Sequence, residues 1–174
     1  TLDYLTRGRI GWNIVTGHLR GEHRAFGLPE LEHDKRYDRA DEYMELCYAL
    51  WDSIPDGAIM ANRETAEFAD PDCINAVQHD GEYFSCNTVG PCWPSPQRRP
   101  VLFQAGTSPR GIEFAVKHAD VIFAIQPELE SMKRFMGDYR KLAKQHGGGR
   151  EPGISFGLQC FIGGTEDEAR AKKQ

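Results

Sequence analysis

The sequence predicts an α/β fold built on a parallel sheet, and three observations support that expectation. Short apolar, β-prone runs alternate with segments whose apolar residues recur at helical spacing. Four such strand–helix units follow one another, with a long interruption after the first. A closed (β/α)8 barrel has eight units in about 250 residues, so four units in a chain of 174 residues predict an internal piece of a larger barrel.

The first strand is Arg9-Ile10-Gly11-Trp12-Asn13-Ile14-Val15-Thr16, entered from Gly8 and left at Gly17. A polar segment, 17–36, follows and holds three of the six histidines: His18, His23 and His33. Residues 37–53 have helical period, with Ala40, Tyr43, Met44, Cys47, Leu50 and Trp51 on one face and Asp34 placed to cap the start. Residues 54–100 are broken by Pro55, Pro71, Pro91, Pro94, Pro96 and Pro100 and read as an insertion, with a small hairpin pairing Ala76-Val77 with Tyr83-Phe84 around Asp80-Gly81. Order returns with a strand at 101–105, a helix face on Ile112, Ala115, Val116 and Ala119, and a strand at 121–125. A long helix over 128–146 ends at Gly147-Gly148-Gly149; a strand over 154–162 and a helix from Glu166 follow. The whole of 1–174 thus reads as one incomplete barrel domain.

Composition excludes several classes. Lys and Arg number 21 against 26 Asp and Glu, a net charge of −5, which disfavours nucleic acid as a partner. No apolar run approaches the roughly 18–20 residues of a membrane span. Five scattered cysteines, an odd number, fit a reducing compartment such as the cytoplasm. Cys73, His79, Cys86 and Cys92 lack the tight CxxC pairs of structural zinc, so no metal site is expected. No P-loop, GxGxxG, HExxH or GxSxG motif occurs.

In parallel α/β folds, function gathers at the carboxyl ends of the strands. That selects Asn13 to Thr16, Gly106 to Gly111, and the exit after Ile125 at Gln126. The insertion, which follows a helix, is expected at the opposite face. Gly106-Thr107-Ser108-Pro109 carries the sharper signal: a glycine turn, two hydroxyls and a proline suited to a first helical position. Two readings are open there, an anion held at the helix N-terminus or plain capping by Ser108. The histidines of 17–36 are candidates for proton transfer or solvated loop residues.

Beyond periodicity, the ordered set Gly8 to Thr16, Phe26-Gly27, His33-Asp34-Lys35-Arg36-Tyr37, Tyr43 to Trp51, His79 to Ser85, Ser95-Pro96-Gln97 and Pro100 to Ser108 resembles the bacterial-luciferase-like flavin-dependent monooxygenases. The resemblance is strongest to the nitrilotriacetate, dibenzothiophene-sulfone and long-chain-alkane monooxygenase group. It implies a luciferase-like TIM barrel, of which this chain is roughly strands four to seven. It also implies reduced FMN from a separate NAD(P)H:flavin reductase, O2 as co-substrate reacting through a peroxyflavin, a small organic substrate, and a homo-oligomer at full length. By the same resemblance, Asn13 and Thr16 lie beside the isoalloxazine, Tyr37 reaches the FMN phosphate, and Gly106, Thr107 and Ser108 cradle it. His18 is the implied catalytic candidate near the flavin. A luciferase-like deazaflavin oxidoreductase and a non-catalytic fragment are the alternatives. The chain departs from many relatives at Gly17, where Ser is common, and at Ala25, where Asn is common.

Overall fold

The computed structural model describes residues 1–17, 20–146, 148 and 150–173. A short helix, α1 (Leu2–Thr6), leads to β1 (Gly11–Ile14), a second short helix α2 (Arg20–Ala25), and the long α3 (His33–Asp52). The insertion holds two hairpins, β2 (Ile59–Asn62) with β3 (Glu67–Ala69) and β4 (Val77–Asp80) with β5 (Ser85–Thr88). The chain then runs through β6 (Val101–Gln104), α4 (Pro109–His118), β7 (Val121–Ile125), α5 (Leu129–His146), β8 (Gly153–Gly157) and α6 (Glu166–Ala171).

The strands β1, β6, β7 and β8 form one parallel sheet in that order. Their order follows the chain without reversal, as in a barrel and unlike a doubly wound sheet. Period-2 alternation sends Ile14, Leu102, Gln104, Ile122 and Ala124 toward the helices, where they are buried. There Ile14 and Leu102 meet Tyr37, Met44 and Phe114, while Ile122 meets Ile112, Val116, Tyr139 and Ala143. Phe114 has no exposed surface; its truncation to Ala would cost about 3–5 kcal/mol. The opposite sheet face, the inside of a barrel, carries Asn13, Phe103, Phe123 and Ile125. The architecture is a partial (β/α)8 barrel, as the sequence leads one to expect.

Several elements differ from the sequence expectation, each for a visible reason. Helix α3 starts at His33, not 37, and Asp34 does not cap it: Glu32 is the N-cap and Asp34 bonds His33 instead. The β2–β3 hairpin has a register shift in β2 at Ala61 and closes its turn at Ala66, both at positive φ, with no glycine to signal it. Strands β4 and β5 pair as foreseen around Asp80-Gly81, but Tyr83 and Phe84 lie in the loop, because their N–H groups donate to the Glu42 carboxylate at 2.9 and 2.8 Å. Strand β8 stops at Gly157, where its partner β7 ends at Ile125.

The insertion divides between the two ends of the sheet. Its last part lies at the amino end of the strands: Gln97 donates to buried Asp3 and to the Ile10 carbonyl, and Arg98 donates to the Ile54 carbonyl. The β4–β5 loop instead climbs along α3. Phe84 there lines a pocket of about 250 Å³ together with Val15 and Thr16, at the carboxyl end of β1. The expectation that the whole insertion faces away from the functional end is therefore corrected; Glu42, which accepts from His79, Tyr83 and Phe84, is the cause.

Candidate functional site

Helices α3 and α4 begin side by side at the carboxyl end of the sheet. Strand β6 ends at Gln104, three residues form a loop, and Ser108 caps α4, its Oγ accepting the Gly111 N–H at 3.1 Å. Pro109 takes the first helical position, where no N–H is needed. The N–H groups of Thr107, Ser108 and Arg110 have no protein acceptor among the described residues. They and the helix dipole make a neutral anion cradle.

Across from the loop, the first residues of α3 close the site. Tyr37 is 5 % exposed, its ring against Phe114 (5.6 Å between centroids) and His33 (5.2 Å). Its hydroxyl lies against Gly106 and Gly111. A Cβ at Gly106 would collide with it, and one at Gly111 would stand 2.8 Å away. Gln104, 3 % exposed, spans the gap: its Oε1 accepts the Gly106 N–H at 2.7 Å and its Nε2 donates to the Tyr37 oxygen at 3.4 Å. His33 Nδ1 donates to Asp34 at 2.6 Å, leaving Nε2 to accept the Ser108 hydroxyl at 3.3 Å.

One helical turn further along, the same interface is charged. Arg110 binds Asp38 at 3.1 Å and Asp41 at 2.5 Å, with its guanidinium over the Tyr37 ring. Asp41 also accepts from His118 at 2.7 Å, and His118, 2 % exposed, meets the Tyr48 hydroxyl at 3.1 Å. Burial works against the charge on Asp41. Hydrogen bonds from His118 and Arg110, with the Lys117 charge, more than offset it and hold its carboxyl at about 2. Burial also opposes the Arg110 charge, and the two aspartates overcome it and raise its pKa.

Of the residues singled out from the sequence, the structure gathers Tyr37, Gly106 and Ser108 into one cluster. Thr107 is exposed beside them, and its side chain has no bond among the described residues. Gly106 contributes the absence of a side chain, since its N–H is already engaged by Gln104. Asn13 is exposed on the inner sheet face, opposite Phe103 in register, and Thr16 lines the pocket with Arg36, Arg39 and Phe84; neither contacts the Tyr37 cluster. His18 lies outside the described residues. The sequence reading passed over Gln104, and it selected the segment holding Arg110 and Gly111 without giving either residue a role. The Gln-x-Gly spacing at 104–106 was the available signal, because a side chain two residues before a tight turn can reach back to its N–H.

This geometry, a parallel barrel segment with hydroxyls and free N–H groups gathered at the carboxyl end of one strand, defines the class: a (β/α)8-type protein, in which that end of the sheet is the functional one. The chain belongs to the luciferase-like monooxygenase family, whose profile matches residues 1–173. It is 46% identical over 177 residues to the long-chain alkane monooxygenase of Geobacillus thermodenitrificans (strain NG80-2), covering 99% of this chain and 40% of that protein. It is 35% identical over 174 residues to nitrilotriacetate monooxygenase component A of Aminobacter aminovorans, covering 99% and 38%. Among solved structures it is similar to a riboflavin lyase (RcaE) with modified FMN and substrate riboflavin, at a TM-score of 0.88 and 36% identity over 98% of this chain and 39% of that one. The chain spans about 40% of the length of the relatives it matches. No helix among the described residues is long and apolar enough to cross a membrane.

Proposed function

We propose that the protein is an FMNH2-dependent monooxygenase of the two-component type, receiving reduced flavin from a separate NAD(P)H:flavin reductase. The observation that carries the reading is the buried Tyr37 hydroxyl, held against two glycines and next to the Ser108 cap at the start of α4. A neutral cradle of N–H and O–H donors fits a phosphate monoester, and FMN differs from riboflavin by that group. Bound reduced flavin would supply the activation of O2 and the delivery of one oxygen atom to a small organic substrate.

The chain's own residues have simpler tasks. Tyr37 donates its hydroxyl proton to the phosphate, and the Thr107, Ser108 and Arg110 N–H groups donate beside it. The Thr107 hydroxyl, without a partner among the described residues, adds a further donor. Asn13, on the inner sheet face, and Thr16, at the end of β1, orient the ring portion, and His18 is the candidate for proton handling near it. The five cysteines, all free, suit a cytoplasmic protein. The name of the nitrilotriacetate relative, a component A, supports a separate reductase.

The test is a fluorescence titration of the full-length protein with FMN and with riboflavin. FMN should bind at least about tenfold more tightly, and Tyr37→Phe should remove about 1–2 kcal/mol of that preference. Equal affinity for the two flavins would overturn the phosphate assignment. Oxygen uptake with chemically reduced FMN, in the presence of an alkane, a sulfone or an aminopolycarboxylate, tests the monooxygenase reading. A flavin that is reoxidised by substrate without O2 consumption would replace it with hydride transfer.

A further inference from the structure

Gln104 is a buried polar side chain that the proposed chemistry does not use. It lies on the helix-facing side of β6, at the last residue of the strand, 3 % exposed. Its amide orientation is fixed by its neighbours. The Gly106 N–H can only donate, so the group it meets at 2.7 Å is Oε1. The other end, Nε2, therefore faces the Tyr37 oxygen at 3.4 Å, and an NH2 group can only donate. A phenol that accepts there keeps its own proton for another acceptor. Gly106 and Gly111, without side chains, let that hydroxyl come against the backbone of the loop and the first turn of α4.

We infer that Gln104 is a positioning residue: tied to Gly106, it donates to the Tyr37 oxygen and so turns the Tyr37 proton toward the 106–108 loop, making the site selective for a flavin phosphate ester over unphosphorylated flavin. The inference rests on the FMN reading above. Two features support it beyond the bonds themselves. Gln104 links the loop that holds the cradle to the helix that holds Tyr37, so one side chain fixes the spacing of both. Arg110 donates from Nη2 to both Asp38 and Asp41 and lays its guanidinium over the Tyr37 ring, so its charge is matched by two carboxylates and selectivity falls to the uncharged donors.

The experiment compares FMN and riboflavin affinity in the full-length protein and in Gln104→Met, Tyr37→Phe and the double variant, with thermal unfolding as the folding control. Gln104→Met should weaken FMN about tenfold and leave riboflavin within about twofold, because only the phosphate end is touched. The double variant should bind FMN no worse than Tyr37→Phe, since both changes remove the same oriented proton. A Gln104→Met protein that keeps the wild-type FMN-to-riboflavin ratio, loses both ligands equally, or multiplies with Tyr37→Phe would overturn the inference. If wild type fails to distinguish the flavins, the phosphate reading itself falls; if Tyr37→Phe removes the discrimination and Gln104→Met does not, only the role of Gln104 falls. Should Gln104→Met not fold, Gln104→Glu has the same shape with an acceptor toward Tyr37 and should abolish the preference for FMN. Retention of the preference in Gln104→Glu, or failure of both variants to fold, would make Gln104 a structural residue only.

Discussion

The α3–α4 interface has two halves a single helical turn apart, and they are built from opposite chemistry. At the loop end, Tyr37, Gln104, Ser108 and two glycines form an uncharged set in which each bond fixes the next. One turn deeper, Asp38, Asp41, Arg110, Lys117 and His118 form a dense charged clamp. The division separates two jobs. Charges tie the two helices together on one side, and uncharged donors gather at the loop, where the proposed phosphate would be held by N–H and O–H groups alone.

The largest expected break of that contrast is Gly106→Ala. Its Cβ would collide with the Tyr37 hydroxyl, and the local overpacking should cost FMN binding about 1–3 kcal/mol while changes in the clamp leave it nearly intact. Asp41→Asn strikes the other half and should lower stability by about 2 kcal/mol near neutral pH, as read from the shift of the Asp41 carboxyl from 3.8 to about 2. That contribution belongs to the ionised form. It is complete above about pH 4 and is lost as pH falls toward 2, so urea midpoints of wild type and Asp41→Asn should converge across that window. A constant difference between the two proteins down to pH 2 would show that the charge is not what stabilises the clamp.

Ser108→Ala sharpens the comparison further. Its hydroxyl is already engaged by Gly111 and His33, so the change should lower thermal stability by about 1 kcal/mol through the lost cap and weaken FMN less than Tyr37→Phe does. A larger FMN loss from Ser108→Ala than from Tyr37→Phe would reverse the assigned ranking. Glu42→Gln, away from both halves, should release the β4–β5 loop and speed proteolysis near 81–84 several-fold, with FMN affinity unchanged. At the small end, Lys133→Ala removes an exposed pair with Glu130 and should shift stability by less than about 0.5 kcal/mol.

The sheet, its parallel sense and the major helices were legible because apolar runs and helical periods are strong local signals. The glycine-hydroxyl turn at 106–108 was legible for the same reason, since turn chemistry is written in adjacent residues. What escaped depends on contacts distant in sequence. Nothing near Gln104 announces that Tyr37, 67 positions away, will receive its amide. Arg110 reads as an ordinary first-turn cation until α3 brings Asp38 and Asp41 to it. The climb of the β4–β5 loop along α3 depends on Glu42, which the helical pattern marks only as a polar position. The β2–β3 hairpin was hidden because alanines, not glycines, take its left-handed positions, Ala61 within β2 and Ala66 in the turn.

Helix α3 is thus held by three unrelated attachments: the glutamine bridge near its start, the ionic clamp a turn later, and, beside the clamp, the carboxylate of Glu42 grasping an excursion of the chain some forty residues downstream. The last of these brings Phe84 to the pocket that Thr16 lines, so the length and sequence of that excursion shape the entrance beside β1 while the glutamine bridge stands apart from it.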